Sequence, residues 1–180
     1  MKKVAAVILA GGKSTRMGRD KAFLNWSGKS FLKHIIDQVE SLNIPIYLSG
    51  QQEKLMEFDL PVIEDLIPDQ GPVTALASCF DKVKADQILV LSCDVPQIKS
   101  TELKRLFAVH KADVTMFSCN GQQLPLVAVY SLSSFDKFIE AHQKGERRLF
   151  NVINKMKVKS IIYKGELQNV NSPQDLELIR

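Results

Sequence analysis

Val4-Ala5-Ala6-Val7-Ile8-Leu9 runs directly into Ala10-Gly11-Gly12-Lys13-Ser14-Thr15-Arg16-Met17-Gly18-Arg19-Asp20-Lys21. The first part is continuously apolar rather than alternating, the pattern of a strand buried on both faces of a parallel sheet. Behind Met1-Lys2-Lys3 it invites comparison with a signal peptide, but it is short and meets Gly11-Gly12-Lys13 without an A-x-A-like cleavage site. It therefore reads as a first strand. The second part sets glycines beside Lys13, Arg16, Arg19 and Lys21. Residues without side chains let backbone N–H groups approach an anion closely, and four cations in so short a loop suit a triphosphate. A solvated basic turn is the plainer explanation of an isolated glycine pair; the buried strand just before it favours the phosphate. Two familiar loops are excluded. A Walker A motif ending at Gly12-Lys13-Ser14 needs glycine where Val7 stands, one ending at Gly28-Lys29-Ser30 needs it at Phe23, and no G-x-G-x-x-G occurs.

Outward from this loop, strand and helix signals alternate. Ser30 caps a helix whose apolar face is Phe31, Leu32, Ile35, Ile36, Val39 and Leu42, and Asn43-Ile44-Pro45 ends it. Strands are expected over 46–48 and 61–63, a short helix over 52–58, and a helix over 72–83 with proline at its first position. The run 88–91 is the second strongly buried strand, ending at Ser92-Cys93-Asp94-Val95-Pro96. A helix over 101–109 follows, then strands over 114–117 and 126–130 around Asn120-Gly121, a hairpin signal. Helices over 134–143 and 148–156, a strand over 158–163 and a last helix opened by Ser172-Pro173-Gln174-Asp175 complete the chain. This alternation predicts an α/β fold: one domain over 1–180 with a doubly wound, mostly parallel sheet, helices on both faces, and ligands bound beyond the strands' carboxyl ends.

Composition agrees with that picture. The 180 residues are 45% hydrophobic, enough for a sizeable core, and 24 basic against 20 acidic residues give a net charge of +4. Such a balance attracts a small polyanion but forms no nucleic-acid arm. Cys79, Cys93 and Cys119 are odd in number and lack metal or disulfide spacing, which points to the reducing cytosol. No apolar run approaches the roughly 20 residues needed to cross a bilayer, so a soluble, cytoplasmic protein without membrane or nucleic-acid partners is expected.

Two carboxylates stand at strand ends. Asp94 would face the ligand crevice as a hard oxygen ligand of the kind Mg²⁺ requires, although a turn aspartate before Val95-Pro96 is the alternative. Asp65, after the third strand, could meet a base or ribose, or could be solvated. His34 lies within a helix and His110 and His142 near helix ends, which suggests surface or capping roles rather than catalysis.

The segment Leu9-Ala10-Gly11-Gly12 with Met17-Gly18 and Asp20-Lys21 resembles the signature loop of the nucleotidyltransferase superfamily, and Ser92-Cys93-Asp94-Val95-Pro96 resembles its metal-holding element. Val62-Ile63-Glu64-Asp65, Gly71-Pro72, Gly145-Glu146-Arg147-Arg148 and Asn169-Val170-Asn171-Ser172-Pro173-Gln174-Asp175-Leu176 narrow the resemblance to the molybdenum cofactor guanylyltransferases, across nearly the whole chain. That resemblance implies GMP transfer from GTP to the terminal phosphate of molybdopterin cofactor. Leu9, Ala10, Gly11, Lys21, Asp65 and Asp94 would bind nucleotide, Asp94 would hold Mg²⁺, and Arg16, Lys21 and Asp94 would carry the catalysis. Arg147, Arg148, Asn169 and Asn171 would lie near the pterin substrate; without the resemblance they read as a solvated helix start and turn asparagines. Transient contacts with other cofactor-biosynthesis or acceptor proteins are compatible with this role. The sequence departs from the family pattern at Ser49, where an asparagine contacting nucleotide is expected, and at Leu124, where a histidine often precedes Pro125. A cytidylyltransferase or sugar-phosphate nucleotidyltransferase would use the same loop and Asp94, and base preference separates these. A nucleotide-binding protein without turnover would release no pyrophosphate.

Overall fold

The computed structural model describes residues 2–11, 20–64, 70–170 and 173–178. Strand β1 (Val4–Leu9) is buried along nearly its whole length. After it come a single 3-10 turn (Lys21–Phe23), a small hairpin of β2 (Asn25–Trp26) and β3 (Lys29–Ser30), and α1 (Phe31–Glu40). Then follow β4 (Ile46–Ser49), α2 (Gln52–Leu55) running on into a 3-10 turn (Met56–Phe58), β5 (Val62–Ile63), α3 (Pro72–Lys82), β6 (Gln87–Ser92) and α4 (Ser100–Ala108). The last third holds β7 (Val114–Cys119), β8 (Gln122–Ser131), α5 (Leu132–Gln143), α6 (Leu149–Ile153), β9 (Val158–Ile162) and α7 (Pro173–Leu178).

The seven strands of the main sheet are ordered β5-β4-β1-β6-β8-β7-β9. All are parallel except β8, which is antiparallel to β6 and β7. Helices cover both faces. On one, Leu32, Ile35, Ile36 and Val39 of α1 and Leu103 and Leu106 of α4 pack against Ala6, Ile8, Leu89 and Leu91. On the other, Val73, Leu76 and Phe80 of α3, Phe135 and Phe138 of α5 and Val152 of α6 pack against Val7, Leu9, Ile88 and Val90. Burial from two sides is what the continuous apolar runs of β1 and β6 record. Ser30 caps α1 as its residue type suggests, accepting from the Lys33 N–H at 3.3 Å.

Three features depart from the sequence-based picture. The β2–β3 hairpin was not expected; its two-residue strands are too short to show a period, and only Ser27 and Gly28, with φ of 49° and 86°, mark the turn. The helix expected over 148–156 is confined to Leu149–Ile153, which leaves Arg147 and Arg148 ahead of it. His110 is not a surface group but is 8% exposed. Its Nε2 lies 2.8 Å from Ser131 Oγ and its Nδ1 2.8 Å from Thr115 Oγ1. The Ser131 hydroxyl already donates to the Ala112 carbonyl at 2.9 Å, so the ring donates from Nε2 to Ser131 and accepts at Nδ1 from Thr115.

Burial, and secondarily the charge of Lys2, pushes the His110 pKa below its ordinary value. The folded chain therefore binds this proton less readily than the unfolded chain, and the resulting stability is complete above the unfolded-state pKa and lost as pH falls from there through the lowered folded-state pKa. Urea unfolding should show the wild-type midpoint dropping more steeply from about pH 7.5 to about pH 5.5 than that of His110→Gln. Equal slopes would contradict this role.

Candidate active site

The parallel ladder continues past the strand ends and draws four of them together. Ala10 N–H donates to Ser49 O at 2.8 Å, Cys93 N–H to Leu9 O at 3.1 Å, and Gly50 N–H to Ile63 O at 3.1 Å. At this edge the chain after β1 passes directly against the chain after β4. A Cβ on Gly11 would stand 3.3 Å from Gly50 Cα, and one on Gly50 would stand 3.2 Å from Gly11 N and 3.0 Å from Leu55 Cδ1. At both positions a side chain would press on the opposing backbone, which favours glycine. Leu9 and Ala10 are buried while Gly11 is exposed. With the Ala10 N–H already bonded to β4, their remaining offer to a ligand is main chain, together with the open approach at Gly11.

Asp94 projects from the end of β6, half-buried. The Ser92 hydroxyl donates to its Oδ1, and its carbonyl accepts from the Val170 N–H at 2.9 Å. The second contact carries the chain's end to the site. Val170 is fully buried with Phe31, Leu24, Trp26 and Leu176, and the neighbouring Asn169 is exposed. Asp20 holds the turn that follows. Its Oδ1 accepts from the Ala22 N–H at 3.3 Å and so caps the turn that carries Lys21, while its Oδ2 meets Lys54 Nζ at 3.5 Å. Cys93 feels these groups: its thiol is pushed up to about 12 by burial first and then by the charges of Asp94 and Asp20, with Lys21 acting in the opposite direction. One lysine and two carboxylates therefore bear on a single point, and the thiol there stays protonated and unreactive.

The third component approaches along the α3–α5 face. Helix α5 ends in Gly145, whose φ of 73° favours glycine, with Gly145 N–H donating to His142 O and Glu146 N–H to Ala141 O, each at 2.9 Å. The Glu146 carboxylate then accepts from the backbone N–H groups of Arg147 and Arg148 and from Asn151 Nδ2, each at 2.8 Å. The Arg148 N–H, then Asn151, holds the Glu146 carboxyl below its ordinary pKa. Both arginine side chains are exposed, and Arg147 Nη1 donates to Gln70 O at 3.4 Å, just before the start of α3. Because α3 follows β5, that start lies at the same carboxyl edge as Gly11 and Asp94. The fold thus brings Gly11, Lys21, Asp94, Arg147, Arg148 and Asn169 to one edge. Arg16, Asp65 and Asn171 lie outside the described residues.

Comparison with known proteins decides the family. The MobA-like NTP transferase domain matches residues 6–159. The chain belongs to this family. A molybdenum cofactor guanylyltransferase of Haemophilus influenzae is 32% identical over 97% of this chain and 96% of its own, and a probable one of Clostridium perfringens is 35% identical over 87% and 76%. The crystal structure of molybdopterin-guanine dinucleotide biosynthesis protein A from Archaeoglobus fulgidus superposes with a TM-score of 0.78 at 18% identity, covering 97% and 96% of the two chains, and so shares the fold.

Within this MobA-like chain the two departures acquire physical meaning. Ser49 is 2% exposed at the end of β4, so it has almost no surface to offer a ligand. The first exposed polar side chain past β4 is Gln51, which precedes α2 and makes no capping bond to it. Asp20, quoted in the loop but given no role there, acts as the cap of the Lys21 turn, and Gln51 was given no role by the sequence. Leu124 is buried in the α1–α4 core opposite Phe117, at an irregularity where β8 carries Pro125 without a ladder N–H. The Tyr130 hydroxyl donates to the Pro125 carbonyl there at 2.8 Å.

Gly50→Ala should place its methyl against Gly11 N and destabilise the chain by about 1–3 kcal/mol, as overpacking does. An unchanged urea midpoint would show that the two loops separate without cost.

Proposed function

We propose that this chain transfers GMP from GTP to the terminal phosphate of molybdopterin cofactor, forming the guanine dinucleotide and releasing pyrophosphate, as one nucleotidyltransferase domain over 1–180. The observation that carries the reading is that Lys21 and Asp94 both act on Cys93, which bonds the end of β1 through its N–H to Leu9 O, with the arginine turn at the same edge. The molybdenum cofactor guanylyltransferases among its relatives match nearly the whole chain.

The acceptor is a phosphate monoester with a second pKa of about 6, so near neutral pH it arrives ionised and needs no strong general base. Its oxygen forms a bond to the α-phosphorus of GTP, while the bond from that phosphorus to the bridging oxygen breaks and the electron pair leaves with pyrophosphate. Lys21, joined by Arg16, offsets the charge that grows on the leaving group. The backbone around Leu9, Ala10 and Gly11 receives the nucleotide, with Asp65 at base or ribose and Gln51 beside them. Arg147 and Arg148, with Asn169 and Asn171, hold the acceptor. Arg147 and Arg148 suit an anion because a guanidinium can meet two phosphate oxygens at once.

Asp94 fits a magnesium ligand. Its carboxylate sits at the strand end with one oxygen oriented by Ser92, and Mg²⁺ characteristically takes one or two carboxylates with substrate phosphates rather than a protein cage. Among the described residues no three His, Cys, Asp or Glu side chains gather into such a cage. Bound there, Mg²⁺ would withdraw charge from phosphate oxygens. The reaction belongs to the cytoplasm, and among the described residues no helix is long and apolar enough to cross a membrane.

Pyrophosphate release with Mg²⁺ should require GTP and molybdopterin cofactor together, and should fall to background with CTP, UTP or ATP. Release with another base or acceptor moves the chain to a sister activity, and no release favours nucleotide binding without turnover. Lys21→Ala should lower kcat by about 10²-fold or more with the urea midpoint unchanged, and Asp94→Asn should abolish the Mg²⁺-dependent rate. Wild-type rates in either variant would remove the assigned role.

A further inference from the structure

The turn that carries Arg147 and Arg148 is tied to the start of α3 at two points. Arg147 makes the first, from its Nη1 to Gln70 O at 3.4 Å. The second lies behind it, where His142 Nδ1 is 3.1 Å from Thr74 Oγ1. Thr74 is in the first turn of α3 and only 1% exposed, and His142 is half-buried in the last turn of α5. A threonine hydroxyl donates to a bare imidazole nitrogen or accepts from a protonated one, so the pair persists in either state of the ring.

His142 is also the residue on which the exit from α5 closes, because its carbonyl accepts the Gly145 N–H at 2.9 Å. Glu146 follows directly and fixes the backbone of both arginines through its carboxylate. Each link from Thr74 to His142, Gly145, Glu146, Arg147 and Gln70 is a hydrogen bond or a stretch of neighbouring main chain, and the circuit returns to α3. Thr74, being buried, has no route to a substrate of its own. A displacement at its hydroxyl is passed to the guanidinium of Arg147, and a shift on the order of 1 Å is enough to weaken a positioned contact.

We propose that Thr74 and His142 form a positioning pair that sets the place of Arg147 and through it the affinity for the anionic acceptor. This rests on the reading of the arginine turn as the acceptor's anchor. Thr74→Val removes the hydroxyl while keeping the branched shape, and leaves half-buried His142 within reach of water, so the chain still folds.

Steady-state kinetics with GTP and molybdopterin cofactor test the proposal. Thr74→Val should raise the acceptor KM about fivefold, the worth of one neutral hydrogen bond, with kcat and the GTP KM within about twofold of wild type. Thr74→Ser should restore the acceptor KM. In an Arg147→Ala background, Thr74→Val should add nothing further, because the group it positions is gone. An unchanged acceptor KM in Thr74→Val, with Arg147→Ala raising it, overturns the pair's role and leaves the acceptor site standing. A rise of equal size in both backgrounds, or an equal rise in the GTP KM, also overturns it. If Arg147→Ala itself leaves the acceptor KM unchanged, the acceptor reading falls and the positioning role falls with it.

Discussion

The site depends on the passage of two backbones against each other where β1 and β4 end. Gly11 and Gly50 approach so closely that neither has room for a side chain without displacing main chain or Leu55. Ala10 N–H bonds to Ser49 O and Cys93 N–H to Leu9 O, so the end of β1 and the residue beyond it are held between β4 and β6. A phosphate-bearing ligand at this edge would therefore meet a backbone already in place, rather than one it must order at an entropic cost.

Around that fixed edge, the described residues bring charged groups but no histidine. Asp20 caps the turn of Lys21, Ser92 orients Asp94, and both carboxylates act with burial to keep the Cys93 thiol protonated. The histidines are employed elsewhere: His34 donates to the Trp26 carbonyl at 2.6 Å, His110 joins β7 to β8, and His142 bonds Thr74. This distribution suits a reaction whose nucleophile is already ionised, where position and electrostatic compensation carry the rate.

The architecture was legible where burial leaves a one-dimensional trace. The unbroken apolar runs of β1 and β6, the Ser30 cap and the Asn120-Gly121 turn each read correctly because one local rule decides each of them. The β2–β3 hairpin and the burial of His110 were not legible. Both depend on partners distant in the chain, Val170 and Leu176 near the hairpin's Trp26 and Ser131 for the histidine. At the site, Lys21 and Asp94 stood out by type and place, whereas Arg147, Arg148 and Asn169 stood out only by family resemblance. Their meeting at one edge follows from the Glu146 turn and the Val170 contact, which no spacing rule contains. Asp20 carried a usable signal, since aspartate before a short turn is a preferred cap. Gln51 carried no signal of its own, and Ser49 two residues before it lies inside the sheet.

GMP transfer at this edge joins the α-phosphorus of GTP to an acceptor phosphate. Label tracing tests it most directly: the protein is incubated with Mg²⁺, molybdopterin cofactor and GTP labelled at either the α- or the γ-phosphorus. The account predicts that α-label appears in a pterin guanine dinucleotide and γ-label in pyrophosphate. Recovery of α-label only in GTP or free GMP, or of γ-label on the acceptor, would contradict it.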